Sequence, residues 1–467
     1  MYKRIFFICC LLVFFYGGLG AYSLLNNNEG LYAQISWEML ENGNWIIPHL
    51  NGVPYIEKPP LLYWLIAGCF KIFGKTEAAA RFVPATFGFL TCIVLYFFAR
   101  SFHKERWGRF SALILASCCG FIIFSRMVFF DVALTFFLTS SALCFYKFYQ
   151  TNEKKYLYGL SFCMAAAVLT KGLVSIVLMG LVILSFLLIE RNFLFLKFFF
   201  NPVAIGIFLI LTIPWHVLAA LQEPGFTWFY FINEHWMRFL DKRIPRDYYT
   251  GSLYYYIPRV LGYAVPWTFL APFFVKKISF SIVDSFRRFL WCWFVAFFCF
   301  FSLSKAKANY YMVVGMPPLA LWLGAYLENY RWKKTILALA LLSSAILVIG
   351  GIFYIRAKED HFSTKSSLEV FKKDETVYLY KRFEEFSTVP FYTGKLVPLL
   401  NSESRDLWYG QQSGLRPDLF LSSENVIEKE TAIYVMKRDK DEFLKKYGDV
   451  PKKIIYDFPQ YFIFYLY

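Results

Sequence analysis

Residues 28–64 read NEGLYAQISWEMLENGNWIIPHLNGVPYIEKPPLLYW. Carboxylates, a lysine and a Pro-Pro pair stand here directly beside long apolar runs. Ionisable groups next to membrane-length segments are costly to keep unless they act on something. The stretch therefore reads as a loop outside the membrane that carries an active site.

The rest of the chain supplies the membrane. Of 467 residues, 58% are hydrophobic and 22% aromatic, with a mean hydropathy of +0.44, which excludes an ordinary soluble enzyme. Stretches near 5–25, 82–99, 110–128, 131–149, 157–175, 174–190, 202–221, 255–275, 289–303, 310–327 and 334–355 are each apolar for roughly 15–21 residues, against the ~20 that a spanning helix needs. An α-helical polytopic membrane protein of about eleven transmembrane helices is expected. The first apolar run lacks a small-residue cleavage site, since Gly17, Gly18, Gly20 and Ala21 continue into Tyr22 and Leu24, and it reads as an uncleaved anchor.

Lys and Arg mark the inner loops of such proteins. Lys3-Arg4, Arg100 to Arg109, Lys147 to Lys155, Lys276 to Arg288 and Arg331 to Lys334 fall on alternate loops, which places the N-terminus inside and the C-terminus outside. The net charge of +16 is what these loops produce against anionic lipid, and no basic run calls for nucleic acid. All ten cysteines lie in or beside apolar segments, which excludes a disulfide framework or a zinc cluster.

Three regions do not span. The first, 26–81, places Leu31, Ile35, Met39 and Leu40 at helical spacing between charges, the pattern of an amphipathic interfacial helix. The second, 222–254, threads Glu234, His235 and Arg238 through aromatics. From about 357 to 467 the composition becomes mixed. There ETVYLYKRF, TAIYVMKRD and IIYDFPQYFIFYLY read as strands and DKDEFLKKYG as a helix stopped by Gly448, giving a small α/β domain. The expected organisation is a membrane domain over 1–356, whose loops 26–81 and 222–254 line the site, followed by a soluble domain over 357–467.

Under this topology Asn28, Glu29, Glu57, Lys58, Arg126, Asp131, Lys171, Glu234, His235, Arg238, Lys305 and Lys307 all fall at the outer side. Lys58 precedes Pro59-Pro60 on an extended segment, a cation suited to a lipid-linked phosphate; its plainer reading is an interfacial lysine that snorkels. Asp131 sits where a carboxylate also favours a helix N-terminus. Lys171 can snorkel from a helix end, Lys305 and Lys307 can be solvated, His235 can be an interfacial histidine, and Arg238 can pair with Glu234 one turn away.

Six blocks taken together resemble the lipid A aminoarabinose transferases, membrane glycosyltransferases related to the protein O-mannosyltransferases. They are N-E-G-x-Y-A-x-I from Asn28, the block ending E-K-P-P-L-x-Y-W, F-x-D-V-x-L-T-F-F around Asp131, L-T-K-G around Lys171, E-H-x-x-R-F from Glu234, and S-K-A-K-x-x-Y-Y to Ala320. The resemblance implies a C-type glycosyltransferase fold with interfacial helices in the first outer loop and a separate outer domain. It implies an inverting hexosyl- or pentosyltransferase in a bacterial inner membrane, with its site on the periplasmic side. The donor would be a polyprenyl-phosphate sugar, undecaprenyl phosphate being the expected carrier, and the acceptor a lipid or glycan such as lipid A.

In family terms Glu29 and Asp131 are the catalytic candidates. Asn28, Tyr32, Glu57, Lys58, Tyr63, Lys171, His235, Arg238, Lys305 and Lys307 are the substrate-binding ones. Glu57 and His235 match candidate metal positions of some relatives, so a divalent metal is left open. Many relatives carry Asp-Glu where this chain has Asn28-Glu29. An amide takes no proton, so Glu29 or Asp131 would replace a lost base, and an acceptor that is already anionic is favoured. A transporter or flippase of lipid-linked sugars, whose charges would line a midplane path, and a protein O-glycosyltransferase are the alternatives.

Overall fold

A computed structural model describes residues 2–102, 104–246, 250–270, 285–368, 376–422, 431–447 and 452–466. In chain order the main elements are α1 Tyr2–Tyr16, α2 Asn28–Asn42, strands β1 His49–Leu50 and β2 Val53–Pro54, α3 Leu61–Phe73, α4 Glu77–Arg100, α5 Glu105–Ser117, α6 Cys119–Ser125, α7 Phe130–Thr151, α8 Lys154–Lys171, α9 Val174–Ile189, α10 Pro202–Gln222, α11 Tyr256–Tyr263, α12 Ser285–Leu303, α13 Met316–Leu327 and α14 Lys333–Ala357. They form two compact units. The first comprises Met1–Gly18, Glu57–Leu62 and Arg81–Gly350; the second comprises Leu19–Ile56, Tyr63–Ala80 and Gly351–Tyr467.

The first unit is the helical membrane body. Each of the eleven predicted stretches carries a helix, although 271–275 lies outside the described residues. Among the described residues six helical segments are long and apolar enough to cross a bilayer, and a seventh span arises if the bent pair α5 and α6 is one crossing. The expectation of eleven spans is larger because it counted shorter apolar helices such as α1 and α9. The pair bends by 71° at Cys118, whose ψ of 117° is extended. Backbone groups freed by a break at membrane depth must find partners. Cys119 N–H donates to Val265 O at 2.9 Å, and Ser344 Oγ donates to Ser117 O at 2.6 Å. Arg126, one of the outer-side charges, donates to Phe14 O at 2.8 Å and also to Phe15 and Gly17 carbonyls. It satisfies the C-terminal end of α1.

The second unit is built on a six-stranded sheet. With β3 Thr376–Tyr380, β4 Leu399–Leu400, β5 Phe420–Leu421, β6 Thr431–Met436, β7 Lys452–Asp457 and β8 Tyr461–Leu466, the order is β5-β4-β3-β6-β8-β7. Strands β5, β4, β3 and β6 run parallel, and β8 and β7 add antiparallel pairs. All six residues of β6 are buried, as a central strand covered on both faces requires. The Lys440–Lys446 helix packs Phe443 onto Tyr380, Val435 and Phe464. Its predicted stop, Gly448, lies outside the described residues.

The predicted first-loop helix is present as α2, but of its three carboxylates only Glu41 faces water. Glu29 and Glu38 are 1% and 5% exposed, and burial runs all round the helix from Glu29 to Ser36. Gly30 permits this, because a Cβ there would stand 2.5 Å from Ser387 Oγ. The β1–β2 hairpin turns through Asn51 and Gly52, both at positive φ (53° and 77°), the pairing that a two-residue turn of this hand demands. Glu38 accepts both turn N–H groups, from Asn51 at 2.7 Å and Gly52 at 2.9 Å. Asn51 in turn bonds Val397 at both its N–H and C=O.

Candidate active site

The site grows from helix ends in the first unit. Helices α7 and α8 pack antiparallel across a short turn, which brings the start of α7 beside the end of α8. Asp131 and Lys171 meet there, Nζ to Oδ1 at 2.5 Å. The ammonium also lies 4.3 Å from the centroid of the Tyr311 ring, a cation–π contact. Helix α8 stops at Gly172, whose φ of +81° disfavours a side chain, and where a Cβ would stand 2.2 Å from His235 Nε2. That nitrogen accepts the Leu173 N–H at 3.0 Å. The proton therefore sits on Nδ1 and goes to Tyr230 O at 2.6 Å. Burial lowers the pKa of His235, so the neutral ring persists.

His235 belongs to a π-helix, Thr227–Met237, a wide-turned element often found at functional sites. Glu234, beside it, is gripped on both oxygens: Arg238 Nη1 reaches Oε2 at 2.9 Å and Arg243 Nε reaches Oε1. Arg243 continues to Glu57 Oε1 at 2.6 Å. Lys58 Nζ stands 3.9 Å from the other oxygen of Glu57. Burial pushes the Glu57 carboxyl upward, and Arg243 is the largest pull the other way. Asn233 fixes the segment that carries Arg243, donating to Ile244 O at 2.6 Å and accepting from Ile244 N at 2.8 Å.

These groups border a cavity of about 530 Å³, within the usual size of small-molecule sites. Its lining joins the cations Lys58, Lys171 and Arg238 and the carboxylates Glu57 and Glu234 to apolar residues such as Val177, Leu181, Phe231 and Phe300. The side chains of the three cations are 16%, 14% and 24% exposed, whereas that of Arg243 is 4% exposed. The first three face the cavity and Arg243 lies behind them. Such a lining can hold an anion and an apolar chain together.

Of the residues predicted from sequence, Glu57, Lys58, Lys171, His235 and Arg238 line this cavity, with Asp131 held against Lys171. Lys305 and Lys307, expected to face a phosphate, do not line it. Lys305 is exposed, and Lys307 is buried with its ammonium on Phe301 O at 2.9 Å and Ser302 O at 2.6 Å. Carbonyls at the end of α12 have no intrahelical partner, and a lysine satisfies them; of that loop Ser304 lines the cavity instead. Asn28, Glu29, Tyr32 and Tyr63 belong to the second unit. There Glu29 Oε2 accepts the Leu25 N–H at 3.1 Å, the Tyr32 hydroxyl donates to Asn28 Oδ1 at 3.1 Å, and the Tyr32 and Tyr63 rings are 6.1 Å apart. Arg243 was not singled out in the sequence. The signal was a charge balance: two carboxylates, Glu57 and Glu234, in aromatic surroundings require a shared cation.

The metal left open by the sequence does not fit this geometry. Both ring nitrogens of His235 are committed to backbone groups, and Glu57 is held by Arg243. Among the described residues no group of three or more His, Cys, Asp or Glu is placed to bind an ion.

Comparison with known proteins agrees with this fold. Residues 57–218 match the family described as dolichyl-phosphate-mannose-protein mannosyltransferase. The chain is 32% identical over 337 residues to undecaprenyl phosphate-alpha-4-amino-4-deoxy-L-arabinose arabinosyl transferase 1 of Proteus mirabilis, covering 71% of this chain and 60% of that protein. It is 30% identical to the corresponding transferase 2 of Pseudomonas fluorescens, covering 73% and 63%. The chain thus spans about three fifths of the length of these curated relatives. The crystal structure of ArnT from Cupriavidus metallidurans bound to undecaprenyl phosphate superposes with a TM-score of 0.82 at 20% identity, covering 99% of this chain and 97% of that one. The fold is accordingly a C-type glycosyltransferase fold in a multi-pass membrane protein. The resemblance to the aminoarabinose transferases read from the six blocks is borne out by these relatives.

Proposed function

We propose that this chain transfers a sugar from a polyprenyl-phosphate donor to an acceptor at the outer face of a bacterial inner membrane. The observation that carries the reading is one cavity whose lining combines Lys58, Lys171 and Arg238 with aromatic and aliphatic side chains, the two chemistries of a lipid phosphate. The relatives' names support undecaprenyl phosphate as the carrier and 4-amino-4-deoxy-L-arabinose as the sugar; lipid A as the acceptor rests on the resemblance carried by the six sequence blocks.

In this reaction an acceptor oxygen attacks the anomeric carbon with inversion. The carbon–oxygen bond to phosphate breaks and its electron pair stays on the departing lipid phosphate. Charge therefore grows on the phosphate in the transition state, and fixed cations are most effective there. Lys58 and Arg238 are assigned to that phosphate. Asp131 holds Lys171 in place, and with Glu29 it remains a candidate to orient or deprotonate the acceptor. Asn28 beside Glu29 favours an acceptor phosphate, which is already ionised and needs no strong base. The periplasmic face follows from the alternating Lys and Arg loops. Mass spectrometry of lipid A and envelope glycans from cells with and without the protein tests the reading. A pentose-sized mass lost from lipid A supports it, and identical glycolipid profiles would contradict it.

A further inference from the structure

Counting the charges that meet around the cavity gives four cations, Lys58, Lys171, Arg238 and Arg243, and three carboxylates, Glu57, Asp131 and Glu234. Two of the carboxylates stand beside the cavity-facing cations: Glu57 lies 3.9 Å from Lys58 and Glu234 lies 2.9 Å from Arg238. Left alone, each would cancel the cation next to it. Arg243 bonds both of them from behind. Its own side chain is 4% exposed, and its segment is pinned by the paired bonds of Asn233 to Ile244, so the guanidinium is held fixed behind the cavity lining.

We propose that Arg243 is the positioning residue that sets the charge surplus of the anion site. By sharing the charge of Glu57 and Glu234, which also pair with Lys58 and Arg238, it leaves the cluster with a surplus of one positive charge, the sign that a lipid phosphate needs. The proposal rests on the function proposed above and adds to it the residue that confers anion selectivity without touching the ligand. Arginine suits the task and lysine would not, because only a planar fork reaches two carboxylates at fixed angles.

The test measures binding of undecaprenyl phosphate, and of uncharged undecaprenol, to purified protein in lipid nanodiscs. Arg243→Gln should weaken undecaprenyl phosphate by about tenfold, the scale of one unit charge acting across a protein wall, and leave undecaprenol unchanged. Adding Glu234→Gln should restore the surplus and most of the affinity, a rescue that a purely structural role for Arg243 would not give. Glu234→Gln alone should tighten undecaprenyl phosphate binding, which keeps the proposal testable if Arg243→Gln does not fold. Equal affinity of wild type and folded Arg243→Gln, or weaker binding by Glu234→Gln alone, would overturn the role of Arg243 and leave the proposed function standing. A wild-type protein that does not discriminate the phosphate from the alcohol would overturn both.

Discussion

Glu38 shows how much one side chain of the first loop is asked to bear. It accepts N–H groups from Asn51, Gly52 and Gln34, yet burial still carries its carboxyl up to about 7. A carboxyl raised above its unfolded value binds more protons folded than unfolded, so stability falls as pH rises through the window between the two values. The penalty is absent below about pH 4.5 and complete above about pH 7, and by linkage amounts to about 3 kcal/mol. Purified protein should therefore gain thermal stability, attributable to this group, as pH is lowered from 7 towards 5. Glu38→Gln should flatten that part of the profile, and a mutant with the wild-type slope would assign it to other groups. At the same scale the sequence was readable wherever a charge sat among apolar residues with no visible reason. Glu57, Lys58, Lys171, His235 and Arg238 stand out this way, and all five line the cavity. Lys307 was misread because the carbonyls it satisfies belong to a helix end that only the fold defines.

Elements decide where those residues point. The end of α8 depends on Gly172, where positive φ and the closeness of His235 both exclude a side chain. Gly172→Ala should cost about 1–3 kcal/mol through strain and overpacking, displace His235 from the Leu173 N–H and reduce sugar transfer. Thermal melting and turnover of the purified variant would check this, and unchanged values for both would remove the glycine from the account. Periodicity and composition located the helices and the main strands, because long apolar runs and alternating Val, Ile and Tyr are local signals. The two-residue strands β4 and β5 were not legible. They are short, and they pair in parallel across long connections. The burial of α2 on every side was equally hidden, since its partner surface comes from residues more than three hundred positions away, such as Ser387.

For the whole molecule the claims concern sidedness and chemistry. The alternating basic loops predict that a periplasmic reporter fused after Arg356 is active and one fused after Lys334 is silent; the reverse pattern would overturn the topology. The central claim, that a lipid-phosphate sugar is the donor, meets its most direct test at Lys58. Lys58→Met keeps the apolar stem and removes the charge, so folding should survive. A charge-assisted contact to phosphate is worth about 1.5–3 kcal/mol, or about ten to over a hundredfold in the step it supports. The measurement is transfer from a labelled undecaprenyl-phosphate sugar in membranes containing equal amounts of wild type and Lys58→Met. The account predicts robust transfer by the wild type and a loss of at least about tenfold in the variant; wild-type turnover by Lys58→Met, or no transfer by the wild type itself, would contradict it.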